Sequence, residues 1–392
     1  MQLKQALLIV SGALVLPSAL AAIGTFFPAI PYVGTLGSYV LPPLAPHFAL
    51  VALLGSALAF AARRLGARRL AALIALIGLF TAVAAATVLA RHVRVAARNG
   101  ARVDVLSSFL LPTSDVGATP DVTAAFTRVD GDDLELDIYK PQNGSSPAPV
   151  LIYIHGGGWT WGARTAQSRA LRWFADRGYV VVSPDYALAT PQRPTWNTAA
   201  AQVTCAMTWI AKNAAAYGGD PHRLFAFGES AGGALALTMT YAAAAGAGHS
   251  SCGGSVPIAR AVAAQYPAVD PVTFYQNRDP LLRDSARQMV SLYLGGSPAE
   301  YPDRARFVSS VTYVTAKGPP TLLLLSDSDH LVPIAGALHL ADRATQSGAS
   351  MRVVRFPWAD HTINLQHYSV ANQAMLQIML QHFCRHGGVC PP

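Results

Sequence analysis

Residues 224–245 have the sequence LFAFGESAGGALALTMTYAAAA, in which a short apolar run leads into a glycine-flanked serine and then into an alanine-rich run. The first run predicts a buried strand, and the run after Ser230 predicts a helix that continues to about Ala245. In a G-x-S-x-G pentapeptide the serine sits on a sharp strand-to-helix turn, where side chains at Gly228 and Gly232 would collide. The stretch therefore predicts a strand–turn–helix unit with Ser230 at its turn.

A second glycine-rich loop lies about seventy residues earlier. His155–Trp159 has the sequence HGGGW and directly follows Val150–Ile154, a predicted buried strand. A loop of this type can direct backbone N–H groups at an oxyanion that forms during acyl transfer. The order of the two motifs, with a strand before each, favours one shared site.

From about residue 126 the chain alternates short apolar strands with helices. The predicted strands are 126–129, 134–139, 150–154, 179–183, 224–227, 259–265, 321–325 and 351–356, and the predicted helices are 167–177, 198–217, 230–245, 333–346 and 371–383. This alternation predicts a mostly parallel sheet with helices on both faces, and hence an α/β fold for a catalytic domain at 126–392. Residues 272–318 interrupt the rhythm, as a cap over a pocket or as a plain helical connection.

The amino-terminal part, residues 1–103, has a different composition. It contains three long apolar runs, Ala6 to about Ile23, about Pro46 to Ala62, and Leu70 to Ala90. A membrane span needs roughly 20 apolar residues, so the runs predict about three transmembrane helices, although the middle run is slightly short and a buried helix is its alternative. The first run also resembles a secretory signal with a cleavage site at Ala19-Leu20-Ala21. Residues 104–125 are predicted to be a linker.

The charges support this division. Residues 1–103 hold nine Lys or Arg and no Asp or Glu, while residues 104–392 hold 20 basic and 21 acidic residues. Because the basic excess flanks apolar runs, it indicates membrane flanks and argues against nucleic-acid binding. With the amino terminus inside, the arginine-rich loop 63–69 faces the cytoplasm and the catalytic part lies outside an inner cell membrane. Arg91, Arg94, Arg98 and Arg102 weaken this charge signal, because they would lie on the outer side.

The four cysteines are consistent with the same location. Cys384 and Cys390 lie six residues apart, and Cys205 and Cys252 flank the serine segment. Two disulfides, Cys205–Cys252 and Cys384–Cys390, would suit an oxidising compartment, whereas four free thiols are the alternative.

The serine hydroxyl needs a base and an acid that orients the base. His361 is the best candidate base, because it follows the last predicted strand and precedes the final helix. The acid should stand after the preceding strand, where Asp327 and Asp329 lie two residues apart. Asp329 is preferred because it lies further into the loop, and Asp327 remains the alternative. The N–H groups of Gly157, Gly158 and Ala231 are the candidate oxyanion hole.

These residues carry a family resemblance. HGGGW, the 183–188 segment SPDYAL, the 218–221 segment GGDP, and GESAGG occur in the order found in the hormone-sensitive-lipase-like branch of the α/β-hydrolases, together with the late Asp329 and His361. The resemblance covers about 126–385 and implies a serine carboxylesterase or lipase that needs no metal or cofactor and acts on a small-molecule or lipid ester. Such enzymes usually continue Arg-Leu-Ala-Pro after Asp185-Tyr186, so the shape of the acyl pocket is open here. The spans resemble membrane-bound methylesterases and deacetylases only loosely.

Two functions compete at this point. The first is a membrane-anchored serine hydrolase that cleaves carboxylic esters through an acyl-enzyme. The second is an acyltransferase that passes the same acyl group to a sugar, lipid or alcohol. A binding protein on this fold would need a broken triad, and Ser230, His361 and an acid are all available.

Overall fold

The computed structural model describes residues 2–142 and 147–390. The predicted boundaries at residues 1 and 392 lie outside this described part of the chain. Over residues 122–390 the described chain forms a sheet of eight strands with helices on both faces. The α/β-hydrolase fold expected from the sequence is confirmed.

The sheet has the order β1-β2-β4-β3-β5-β6-β7-β8. Its strands are β1 Val122–Val129, β2 Asp132–Tyr139, β3 Ala148–Ile154, β4 Val180–Pro184, β5 Gly219–Glu229, β6 Ala261–Gln265, β7 Thr321–Ser326 and β8 Met351–Phe356. β1 pairs antiparallel with β2, and β2 pairs antiparallel with β4. The other pairings are parallel. The loops after β3, β5, β7 and β8 therefore leave the same edge of the sheet, and every predicted site residue lies at that edge.

Helices cover both faces of the sheet. The helices of this part of the chain are α5 Ser168–Ala175, α6 Ala199–Asn213, α7 Ser230–Ala244, α8 Pro271–Tyr275, α9 Arg283–Leu294, α10 Pro302–Val308, α11 Ile334–Ser347 and α12 Val370–Arg385. One buried apolar cluster joins the sheet to α6, α7 and α11, and the other joins it to α5 and α12. Strands such as β3 are buried throughout, as expected for a sheet covered on both faces.

The amino-terminal helices extend beyond the predicted apolar runs. They are α1 Gln2–Phe26, α2 Val33–Val40, α3 Ala45–Arg64 and α4 Arg68–Arg98. By length and composition, three helical stretches in the described chain suit a membrane span: Gln2–Phe26, Val33–Arg64 and Arg68–Arg98. The end of α4 packs on the catalytic part, where Ala96 joins the cluster around α12 and the His92 ring lies 3.0 Å from the Pro357 carbonyl.

The predicted linker, residues 104–125, is shorter than expected and packs along the catalytic part. β1 already begins at Val122, and the residues before it contact α5 and α12. The Asp104 N–H donates to Gln373 Oε1 at 2.7 Å, and Arg169 donates its N–H to the Asp115 carbonyl at 3.0 Å. These hydrogen bonds hold the segment against the domain instead of leaving it free in solvent.

Both predicted cysteine pairs lie at disulfide distance. Cys205 is paired with Cys252, which joins α6 to the segment that precedes β6. Cys384 is paired with Cys390 at the end of α12.

Candidate active site

Ser230 occupies the turn between β5 and α7. Its φ of 50° lies in the left-handed region, as expected for a serine held on a sharp strand-to-helix turn. A Cβ atom at Gly232 would overlap the carbonyl oxygens of Ile154 and His155. Glycine is therefore required at that position for α7 to approach β3 closely, and the turn predicted from the sequence is present.

His361 lies within hydrogen-bond distance of Ser230. The His361 Nε2 atom is 3.0 Å from Ser230 Oγ, and both residues are buried, with 3% and 7% of their surface exposed. His361 follows β8 on the loop that leads to α12. Two elements that are 131 residues apart in sequence therefore bring a hydroxyl and an imidazole together in a buried site.

Asp329 holds the other side of the imidazole. Its Oδ2 atom accepts from His361 Nδ1 at 2.8 Å, while its Oδ1 atom accepts from the N–H groups of Leu331 at 3.1 Å and Val332 at 2.7 Å. The alternative acid, Asp327, pairs with Arg355 Nε at 2.6 Å. Of the two candidate acids, Asp329 is thus the one placed beside His361.

The charge of Asp329 controls the histidine. Burial on its own lowers the pKa of His361, but the charge and hydrogen bond of Asp329, together with the charges of Asp360 and Glu229, outweigh burial and raise the pKa above its ordinary value. The acid also fixes the tautomer, because a proton on Nδ1 leaves the Nε2 lone pair directed at Ser230. This arrangement can accept the hydroxyl proton as the oxygen attacks an electrophile.

The HGGGW loop lies against the serine turn. Gly157 has a φ of 110°, and Gly158 is so close to α9 that a Cβ atom there would overlap the Met289 side chain. Ala231 is in the first turn of α7, where a backbone N–H has no acceptor within the helix. The three predicted oxyanion-hole residues therefore belong to two adjoining segments beside Ser230.

The flanking residues of this loop pack and do not reach the serine. His155 Nδ1 lies 2.7 Å from the Gly156 carbonyl, and its ring stacks on Tyr186 with centroids 4.3 Å apart. Trp159 stacks on Tyr293 of α9 with centroids 4.2 Å apart. These contacts give His155 and Trp159 packing roles, and they place the 272–318 insertion over the loop.

An apolar cavity of about 250 Å³ lies next to this stack. Trp159 and Tyr293 line one side, and Leu235 and Met239 of α7 line another. Trp196, ten residues after Tyr186, also borders it.

Asp185 lies away from the serine. Its carboxylate binds Arg164, which donates from Nη1 to Asp185 Oδ2 at 2.6 Å and also pairs with Glu135 and Asp137. Burial lowers the pKa of Arg164, but the hydrogen bond and charge of Asp185 reverse this effect and raise it. The carboxylate cluster therefore ties the loop after β3 to β2 and β4, which is a structural role.

Two polar groups near the site were not singled out from the sequence. Glu229, next to the serine, accepts from Tyr153 Oη and Tyr266 Oη, each at 2.7 Å, and it also contacts Gln167. The Tyr266 ring meets the His361 ring edge-on, with centroids 4.6 Å apart. This cluster supports both the serine turn and the histidine, and its only sequence signal was the position of Glu229 directly before the serine of G-x-S-x-G.

The second missed group is a histidine–aspartate pair. Asp360 accepts from the N–H of His330 at 2.9 Å and from the N–H of His361 at 2.7 Å, and its other oxygen contacts His330 Nδ1. The sequence places His330 near the acid candidates but gives no sign of its partner. The pair joins the loops after β7 and β8.

Comparisons with known proteins agree with this fold and site. Esterase LipQ of Mycobacterium tuberculosis is 28% identical over 223 residues, which cover 56% of this chain and 51% of LipQ. Carboxylesterase NlhH of the same species is 36% identical over 108 residues, or 27% of this chain and 33% of that protein. The chain thus spans about half or less of the length of these curated relatives.

Solved structures show the same fold. Thermogutta terrifontis esterase 2, in a form phosphonylated by sarin, aligns with a TM-score of 0.59 at 22% identity over 70% of this chain and 99% of that one. A propionate-bound form of that esterase gives a TM-score of 0.57 at 23% identity, over 69% of this chain and 96% of that one. At these identities the likeness establishes the architecture alone.

The family match is more direct. The sequence family described as BD-FAE matches residues 136–343, which include the HGGGW loop, Ser230 and Asp329. The carboxylesterase-type α/β-hydrolase family expected from the sequence is confirmed. Because this match covers more than half of the chain, the protein belongs to the BD-FAE family of α/β-hydrolases.

Proposed function

We propose that this protein is a membrane-anchored serine hydrolase that cleaves carboxylic esters, with Ser230 as nucleophile, His361 as base and Asp329 as orienting acid. One observation carries the proposal. A hydrogen-bonded line runs from Asp329 Oδ2 to His361 Nδ1 at 2.8 Å and from His361 Nε2 to Ser230 Oγ at 3.0 Å, beside the HGGGW loop. The similarity to curated esterases supports the same chemistry.

The reaction follows from the Asp329–His361–Ser230 hydrogen bonds. Ser230 Oγ attacks the ester carbonyl carbon while His361 Nε2 takes the hydroxyl proton, and a tetrahedral oxyanion forms. As the C–O bond to the alcohol breaks, the proton on His361 passes to the departing oxygen and an acyl-enzyme remains. A water molecule then repeats the sequence, with His361 as base, to release the carboxylic acid and regenerate Ser230.

The oxyanion is the largest charge that develops in this reaction. We assign its stabilisation to the N–H groups of Gly157, Gly158 and Ala231, which lie in the two segments that meet at the serine. Fixed donors of this kind need no reorganisation during the reaction, and the loss of one typically costs about 10²- to 10³-fold in turnover. The loop is therefore expected to matter nearly as much as the triad.

The membrane part of the proposal rests on α1, α3 and α4. The apolar side chains that these helices expose, such as Ile9, Leu54 and Phe80, would be costly to leave in water. The arginine-rich turn 63–69 lies between α3 and α4, far along the chain from the catalytic part. By the positive-inside rule this turn faces the cytoplasm, which puts the ester site outside the inner membrane. The two cysteine pairs at disulfide distance suit that location.

An acyltransferase remains the second candidate, and the burial of Ser230 and His361 favours it. Transfer to an alcohol requires that water be kept from the acyl-enzyme, and the burial of these side chains, which are 7% and 3% exposed, limits their contact with bulk solvent. The acceptor hydroxyl would then lose its proton to His361 in place of water.

One experiment tests the proposal and separates these candidates. The purified full chain is supplied with a short-chain 4-nitrophenyl ester, with and without acceptor alcohols, and both nitrophenol and free acid are measured. The proposal expects free acid without any acceptor and none from Ser230→Ala, whose matched control is Ser328→Ala in the neighbouring loop. Steady product only with an acceptor would instead establish a transferase.

A further inference from the structure

The α1–α2 hairpin, residues 27–40, contacts the loops that carry the candidate site. The Pro28 carbonyl accepts from His330 Nε2 at 2.9 Å, next to Asp329. Thr35 Oγ1 donates to Asp279 Oδ2 at 2.6 Å, in the insertion that covers the HGGGW loop. A cavity of about 350 Å³ separates residues 28–31 from 277–280 and from the loop after β7. The hairpin thus lies beside the candidate site and lines this cavity.

A second segment, residues 106–111 after α4, also lies between the helical part of the chain and the loops of the candidate site. Residues 106–111 follow α4 and return to the first turn of α3, where His47 Nε2 lies 2.8 Å from the Leu110 carbonyl. Two residues further on, the Thr113 carbonyl accepts from the N–H of His367, in the loop that carries His361. This segment therefore runs from the outer end of a proposed span to the catalytic histidine's loop.

Both segments expose large apolar side chains. In residues 106–111, Leu106 and Leu111 are 82% and 85% exposed, and Leu365 in the histidine loop is about half exposed. The hairpin adds further exposed side chains: Phe27, Ile30 and Leu36. We call these six residues the membrane-facing surface. Apolar side chains that project from a protein surface in a group usually mark a contact with another apolar phase.

Continuity with the helices identifies that phase. The hairpin connects α1 to α3, and residues 106–111 lie against the start of α3, so the membrane-facing surface begins where the proposed spans leave the bilayer. Apolar side chains at this depth enter the headgroup and upper acyl region of a membrane. Water would leave them exposed, whereas the adjoining lipid would bury them without any movement of the chain.

We propose that the membrane-facing surface seats the catalytic face on the bilayer, and that the substrate is an ester of a membrane-dissolved amphiphile. This inference rests on the proposed function, since it names the substrate class of the same site. Leu365 belongs to the loop that carries His361, and Ile30 belongs to the hairpin whose Pro28 carbonyl accepts from His330, so the membrane-facing surface adjoins the loops that carry the site. The apolar tail can stay in the membrane during the reaction.

The test compares one protein on two esters. The full chain is reconstituted in phosphatidylcholine vesicles, and hydrolysis is measured for 4-nitrophenyl acetate in the water and for 4-nitrophenyl palmitate dissolved in the same bilayer. The variant Leu106→Asp with Leu111→Asp removes two apolar contacts. Its matched control is Ile258→Asp, which changes a side chain that is also highly exposed but lies before β6, at the opposite edge of the sheet.

The inference predicts that the ratio of the palmitate rate to the acetate rate falls about tenfold in the double variant and stays unchanged in Ile258→Asp. An unchanged ratio in the double variant would overturn it, as would a wild-type chain that hydrolyses acetate but not membrane-dissolved palmitate. In both of those cases the proposed esterase function stands. A wild-type chain that hydrolyses neither ester would remove the proposed function itself.

Discussion

Replacement of His330 by alanine should destabilise the protein in a pH-dependent way. Both ring nitrogens of His330 face acceptors, because Nδ1 contacts the Asp360 carboxylate and Nε2 lies 2.9 Å from the Pro28 carbonyl. Only the imidazolium can donate to both. Burial lowers the pKa of His330, but the hydrogen bond and charge of Asp360, with the Pro28 hydrogen bond and the charge of Asp279, outweigh burial and raise the pKa from 6.5 to about 9.

The size of the effect follows from this shift. A rise in the pKa from 6.5 to about 9 corresponds to about 3 kcal/mol, and screening by solvent around the ring reduces this to about 2 kcal/mol. Asp360 also keeps two backbone N–H donors, so its carboxylate would not be left bare in the variant. Because the pKa of the folded state is the higher one, the stabilisation is complete below pH 6.5 and disappears as the pH rises through 9.

The assay is thermal unfolding of the full chain in detergent at pH 7 and pH 10. A loss of about 2 kcal/mol corresponds to a Tm that is roughly 4 to 8 °C lower in His330→Ala at pH 7, with little difference from wild type at pH 10. His339→Ala, which changes an exposed histidine on α11, is the control and should not alter the Tm. An equal loss at both pH values, or none at pH 7, would refute the argument that His330 is charged.

Further predictions concern the triad and its loop. Asp329→Asn should lower kcat about 10⁴-fold in steady-state kinetics, because it favours the wrong tautomer of His361. Asp327→Asn should leave kcat nearly unchanged. The opposite order of effects would show that Asp327 is the orienting acid. Burial lowers the pKa of His361, but nearby carboxylates, chiefly Asp329, raise it above its ordinary value. As the pH is lowered, kcat/KM should therefore fall with a midpoint above pH 6.5. A midpoint below pH 6.5 would contradict this. Gly157→Ala should abolish turnover, since a Cβ atom there would overlap the Trp161 carbonyl and displace the loop. Circular dichroism should show no loss of secondary structure. Retained turnover would exclude the loop from the oxyanion hole.

Local patterns predicted most of the fold. The strand–turn–helix unit at Ser230, the alternation of strands and helices and the HGGGW loop are each encoded in a few consecutive residues, and the structure has them within a few positions of the expected bounds. β5 begins earlier than expected, at Gly219, because Gly219 and Asp220 pair with the start of β3 across an irregularity in register. Pairing with a neighbouring strand is a tertiary effect that a hydrophobic run cannot reveal.

The choice between Asp327 and Asp329 shows where sequence reasoning reached its limit. Both residues follow β7 within a tight turn, and their different roles depend on the position of β8. Arg355 on β8 forms an ion pair with Asp327, whereas Asp329 is hydrogen-bonded to His361. Spacing alone favoured Asp329 without excluding its neighbour.

The contacts between the helical segment and the site had no sequence signal. His330 meets Pro28 across 302 residues, and Thr35 meets Asp279 across 244. The apolar runs predicted the helices, since length and composition determine a span, but nothing local indicated that their connecting hairpin would reach the catalytic loops. For the same reason residues 104–125 were expected to be a linker, although the residues before β1 pack on α5 and α12.

Covalent labelling of intact cells tests the nucleophile and its location together. Cells that express the full chain are treated with a membrane-impermeant fluorophosphonate, and the labelled residue is identified by mass spectrometry. Ser230 is expected to be labelled without permeabilisation, and the Ser230→Ala variant is expected to remain unlabelled. Label that appears only after permeabilisation would contradict the location, and label that persists in Ser230→Ala would contradict the nucleophile.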